Sequence, residues 1–120
     1  MLLVLRDHEP YKGYWSLPGG HIDRYETAAD AAIREVKVET NLDFAPTFVE
    51  YFDEIIPERE IHAVVIVFEG PGKGDLTPQP GEIADIAWFD YKAAQSQTLA
   101  FQHNAILAEY VRRKADKNED

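Results

Sequence analysis

The segment AADAAIREVKVETNL, residues 28 to 42, restricts the fold more than any other stretch of this chain. Ala28, Ala31, Ala32, Glu35, Glu39 and Leu42 follow the i, i+3, i+4, i+7 spacing that puts side chains on one helical face. Two acids therefore occupy slots where core residues belong. Ala29, Ile33 and Val36 form a second apolar stripe, so the helix is expected to be covered over much of its circumference. Thr27 reads as its N-cap, with Asp30 completing a capping-box-like pair, and Asn41 as its stop, because asparagine readily takes the left-handed C′ conformation. Neighbouring carboxylates repel, and burying them is costly unless a cation or hydrogen-bond donors compensate. Two readings follow. Hard carboxylate oxygens without Cys or clustered His suit Mg²⁺ or Mn²⁺ better than zinc; alternatively, Glu35 and Glu39 pair with nearby bases such as Arg34 and Lys37. Spacing alone does not choose between them.

A chain of 120 residues, 45% of them apolar, supports one domain with one core, and we read residues 1 to 120 as that domain, with residues 115 to 120 as a frayed tail. LLVL (2 to 5), TFVEYFDEII (47 to 56), IHAVVIVFE (61 to 69) and EIADIAWFD (82 to 90) read as strands, with PERE as a hairpin connection. The third of these is apolar on both faces apart from His62, as expected of a central strand covered by helices on both sides. A terminal helix is expected over roughly Ala100 to Lys114, with Phe101 in the core and His103 on the surface, and GPGKGDLTPQPG reads as a loop. The formal charge of -10 argues against nucleic-acid and anionic-membrane partners, so a polyanionic substrate needs local bases or a bridging cation. Cysteine is absent, which makes the cytosol the simplest compartment, and the apolar start MLLVL is too short for a membrane span.

Taken from Gly20, the same stretch resembles the Nudix box: Gly, five residues, Glu, seven residues, Arg-Glu-aliphatic, any residue, Glu-Glu, any residue, Gly, aliphatic. Gly20, Glu26, Arg34, Glu35, Val36, Glu39 and Leu42 fall in register, whereas Val38 stands where the pattern has its first paired glutamate and Asn41 where it has glycine. WSLPGGHID and EIADIAWFD resemble the family's approach to the box and its later strand, so the likeness spans nearly the whole chain.

The resemblance implies an α/β/α sandwich around a mixed sheet, and hydrolysis of a nucleoside diphosphate linked to another moiety with Mg²⁺ or Mn²⁺. It implies that Glu35 and Glu39 ligate metal or position the attacking water, that Arg34 and Glu26 brace the box, and that Gly20 keeps its loop open. Glu82 is the candidate for a further acid, ahead of Glu50, Glu54, Glu58 and Glu60, which read mostly as surface charges. The loss of an acid at Val38 is expected to lower metal affinity or the number of ions bound. TLAFQHNAIL (98 to 107) is similar to a segment of ADP-ribose and nucleotide-sugar pyrophosphatases in the family, which favours that substrate class. A house-cleaning (deoxy)nucleoside triphosphate pyrophosphatase and a nucleotide-binding module with weak or no catalysis are the alternatives. Tyr11 and Tyr14 are candidates to stack on a base, with Trp15 read as structural. Members usually have a strand before the one LLVL resembles, so either a sheet edge is open for a second copy in a homodimer or the true start lies upstream.

Overall fold

The computed structural model describes residues 1 to 118. In chain order its elements are β1 (Leu2–Arg6), β2 (Trp15–Ser16), α1 (Ala28–Thr40), β3 (Asp43–Phe44), β4 (Thr47–Ile56), β5 (Ile61–Glu69), β6 (Gly72–Lys73), β7 (Ile83–Trp88), α2 (Tyr91–Gln95) and α3 (His103–Asn118). The LLVL run makes β1 the middle strand of an antiparallel ladder between β2 and β7, with Leu3 opposite Ala87 and Val4 opposite Ile86. Successive strand residues point to opposite faces, so Leu3 and Val4, both fully buried, fill the two sides. On the Leu3 side, Ala94 of α2 and Leu107 of α3 close a core with Leu99, and Met1, Trp15, Leu17, Phe89, Tyr110 and Val111 pack around it. Trp15 meets Phe89 edge to face at 5.2 Å, so it is a core anchor.

The expected helix forms with its expected ends. Thr27 Oγ1 accepts from the Asp30 N–H at 3.0 Å, and Asn41 closes α1 at φ 69 while its N–H donates to the Lys37 carbonyl. Ala31, Val36 and Glu39 are buried, but Ile33 of the expected second stripe is exposed, because less of the circumference is covered than the pattern suggested.

TFVEYFDEII and IHAVVIVFE pair as an antiparallel hairpin through a short 3₁₀ turn at Pro57–Arg59. Its second strand departs from expectation. β5 is laddered only to β4, and Val64 and Ile66 are exposed along with Tyr51 and Ile55 on the facing strand, so β5 is not covered on both sides by helices of the described residues. Its Val and Ile content reflects the preference of β-branched side chains for extended backbone as well as burial. The Gly-rich stretch read as a loop contains the short strand β6, which pairs with β3, while β2 and α2 are also too short to leave a periodic signal. α3 starts at His103 rather than near Ala100, because Phe101 takes φ 53 and Ala100 gives its N–H to the Trp15 carbonyl at 2.8 Å. At its other end α3 runs to Asn118, past the expected end at Lys114; of the residues read as a frayed tail, 119 and 120 lie outside the described residues.

Candidate active site

The turn Leu17–Gly20 leaves β2 and runs past the inner face of α1, where the two acids meet different surroundings. Glu39 is 7% exposed and accepts from the Gly19 N–H at 3.2 Å, and among the described residues no basic side chain stands within ion-pair distance of it. Burial, then the neighbouring charge of Glu35, pushes its carboxyl up to about 8, opposed by the hydrogen bond from Gly19 and the charge of Arg6. Glu35, at 20% exposure, instead receives Arg34 Nη1 at 2.6 Å. The two acids thus differ: Glu35 is ion-paired, and Glu39 is a buried carboxylate with no base in ion-pair distance among the described residues. Lys37, the other base considered, pairs with Asp43 at 3.2 Å.

Arg34 is the brace of this region. Its Nε and Nη2 grip both oxygens of Glu26 at 2.8 and 2.9 Å, and Nη2 also donates to the His21 carbonyl at 3.0 Å. The paired guanidinium holds the Glu26 carboxyl down at about 2. One side chain therefore ties the loop 21 to 26 to the helix and orients Glu35. Lysine has no planar fork, so Arg34→Lys should lower the urea midpoint of unfolding and reduce kcat about tenfold; unchanged turnover would remove Arg34 from the orienting role.

Gly20 is required by space. A Cβ built on it would lie 2.5 to 2.7 Å from the three carboxylate atoms of Glu35, so the missing side chain makes room for that acid rather than simply opening the loop. Val38 is 45% exposed, three residues after Glu35 on α1, the spacing at which helical side chains are neighbours.

Glu82 stands apart from the pair. It is 48% exposed and bonded to His8 Nδ1 at 3.0 Å, although its charge still reaches Glu39. Among the described residues no three of His, Cys, Asp and Glu converge to hold a metal ion. Two acids still suit a hard cation, because Mg²⁺ is commonly bound by one or two carboxylates with water and substrate phosphates completing the shell. Of the other acids, Glu54 is buried rather than at the surface and accepts from the Gln102 N–H at 3.2 Å, while Glu50 pairs with Arg113 at 2.6 Å. Arg6 went unnoticed in the sequence. It lies at the end of β1, within electrostatic reach of Glu39 and Glu82, and stacks on Phe101 at 5.0 Å. Its only sequence signal is a charge that closes an apolar strand.

In this mixed α/β domain a glycine turn thus meets a helix bearing a buried acid that has no base within ion-pair distance among the described residues. A model of the NUDIX domain matches residues 1 to 111, and the chain belongs to that family. It is 30% identical over 115 residues to the ADP-ribose pyrophosphatase of Methanocaldococcus jannaschii, covering 95% of this chain and 67% of that protein. It is 34% identical over 110 residues to the putative mutator protein MutT4 of Mycobacterium tuberculosis, covering 86% of this chain but 43% of the relative. Among solved structures, the MutT NUDIX hydrolase of Burkholderia pseudomallei superposes with a TM-score of 0.80 at 26% identity, over 89% of this chain and 84% of that one. The NUDIX domain of Shewanella oneidensis NrtR, solved with ADP ribose, has the same fold at TM-score 0.80 and 22% identity, over 93% of this chain and 75% of that one. Among the described residues no helix is long and apolar enough to cross a membrane.

Proposed function

We propose that the chain hydrolyses the pyrophosphate bond of a nucleoside diphosphate linked to a sugar, with ADP-ribose as the preferred member of the class, in the presence of Mg²⁺ or Mn²⁺. The observation that carries this is Glu39, a buried carboxylate beside Glu35 with no basic partner in ion-pair distance among the described residues. An isolated acid in that position is costly, and a divalent cation is the ligand that removes the cost. The M. jannaschii relative supports the choice of sugar-linked substrate.

Glu39 and Glu35 would hold the ion, with Glu82 at the rim. When bound, the ion neutralises phosphate oxygens and lowers the pKa of water. The protein's own part is to orient and to move a proton. Arg34 keeps Glu35 in one rotamer, and the Gly19 N–H keeps one face of Glu39 engaged. A carboxylate within reach of the attacking water takes its proton as the new P–O bond forms and the bridging P–O bond breaks, which gives two phosphomonoesters. Arg6, within electrostatic reach of Glu39 and Glu82, is suited to receive a phosphate oxygen.

Incubation with Mg²⁺ and a panel of ADP-ribose, nucleotide sugars, dinucleotides and (deoxy)nucleoside triphosphates tests the reading. Turnover of sugar-linked diphosphates ahead of triphosphates is the expected result. Preference for triphosphates would move the assignment toward mutator-type relatives, and nucleotide binding without turnover across the panel would make this a binding module. Val38→Glu adds an acid beside Glu35 and should tighten Mn²⁺ binding about tenfold, equivalent to roughly 1.4 kcal/mol. An unchanged dissociation constant would place the ion elsewhere.

A further inference from the structure

The segment LAFQHN, residues 99 to 104, makes contacts out of proportion to its length. Ala100 donates to the Trp15 carbonyl at 2.8 Å, and Leu99 forms a parallel bridge with Trp15. Gln102 clasps β4, its side chain accepting from the Ile55 N–H at 3.3 Å and donating to the Ile55 carbonyl at 2.9 Å. His103, expected on the surface, is partly buried, and its Nδ1 lies 3.1 Å from the Leu17 nitrogen. A backbone N–H can only donate, so Nδ1 is the unprotonated acceptor and a neutral ring carries its proton on Nε2. Burial, with the charge of Arg6 adding to it, pushes the imidazole down to about 4, which keeps the acceptor available at neutral pH.

The residues that follow Leu17 give this contact its consequence. Pro18 has no N–H and a fixed φ, so the turn from Leu17 to Gly19 carries two main-chain donors on a stiff link. Leu17 gives its donor to His103, and Gly19 gives its donor to Glu39. We propose that His103 is a positioning residue: its Nδ1 fixes the Leu17 N–H, and through Pro18 this sets the Gly19 N–H that orients the Glu39 carboxylate. The inference rests on the reading of Glu39 as part of the site. Removal of the acceptor leaves the Leu17 N–H without a partner, and the turn is then free to shift by fractions of an ångström against an acid whose placement governs the chemistry.

The test compares His103→Leu, which removes the acceptor, with His103→Asn, whose Oδ1 stands close to the position of Nδ1. Three readouts are taken: steady-state kinetics, Mn²⁺ affinity by electron paramagnetic resonance, and amide hydrogen exchange at Gly19 in the metal-free protein. In His103→Leu, kcat should fall ten- to a hundredfold with KM changed less than about threefold, and Gly19 should lose exchange protection. His103→Asn should recover kcat to within about threefold of the parent and restore the protection. Nitrogen-15 NMR of the unsubstituted protein should find the His103 Nδ1 unprotonated at neutral pH.

Glu39→Gln separates the two ideas. If it leaves turnover and Mn²⁺ affinity intact, the reading of Glu39 fails whatever His103 does. If it abolishes them while His103→Leu matches the parent in kcat and Gly19 protection, the positioning role is overturned and the site stands. Should His103→Leu fail to fold, a folded His103→Asn with an unprotected Gly19 amide overturns the proposal, and a protected amide with recovered turnover supports it.

Discussion

Glu39→Gln is expected to lower kcat about 10³-fold under saturating Mg²⁺ and ADP-ribose while making the metal-free protein more stable at pH 8. The two effects share one cause. Glu39 ordinarily titrates near 4.5 and is pushed up to about 8 by burial and by Glu35. Between those values the folded state holds a proton that the unfolded chain has released, so stability falls as pH rises through that window. Below about 4.5 both states are protonated and the cost vanishes; above about 8 it is complete, on the order of 5 kcal/mol. Glutamine keeps an acceptor for the Gly19 N–H and carries no charge. Denaturant titrations of both proteins at pH 4.5, 6 and 8 in chelator should therefore diverge with rising pH, Glu39→Gln being the more stable. Added Mg²⁺ should reverse the order, since a cation that binds only the folded parent stabilises it by mass action. A stability difference that stays flat with pH would mean that Glu39 is not a buried, uncompensated acid. This would be a trade of stability for function at a single side chain.

Gly20→Ala should separate activity from stability in the opposite sense. The added Cβ would sit 2.5 to 2.7 Å from the Glu35 carboxylate, so that group must move, and it gives up the 2.6 Å contact with Arg34 when it does. The displaced atoms are the far end of a flexible side chain, so the fold should adapt with only a small change in Tm. The site should not adapt, and kcat is expected to fall about a hundredfold. A double-mutant cycle checks the mechanism. If Gly20→Ala acts by displacing Glu35, its effect on kcat should largely disappear in a Glu35→Gln background; independent, additive losses would sink that explanation.

Much of the site was legible because it is local. The N-cap, the αL stop at Asn41 and the apolar-face placement of Glu35 and Glu39 all follow from helical spacing within one segment. The link from Arg34 to Glu26, which loops back over eight residues of chain, was implied by the resemblance to the Nudix box and not by spacing. Glu82 was less legible. Its position before β7 was readable, but its pairing with His8 depends on how β7 lies against β1, a contact across 74 residues. The hairpin was located residue for residue, yet its exposure was misjudged, because β-branched composition does not say which face a helix will cover.

By itself the sequence determined the local order: where α1 begins and ends, which acids it carries inward, and which runs become strands. These rest on capping, periodicity and backbone preference, which act over a few residues. Tertiary structure decided how two similar acids came to differ. Arg34 reaches Glu35 and, among the described residues, leaves Glu39 without a base in ion-pair distance, while the Leu17 to Gly20 turn, bonded to His103 of α3, supplies a donor to Glu39. Burial and the partners that burial selects belong to the packed chain, because desolvation and hydrogen bonding depend on what lies within a few ångströms in space and not on what is adjacent in sequence.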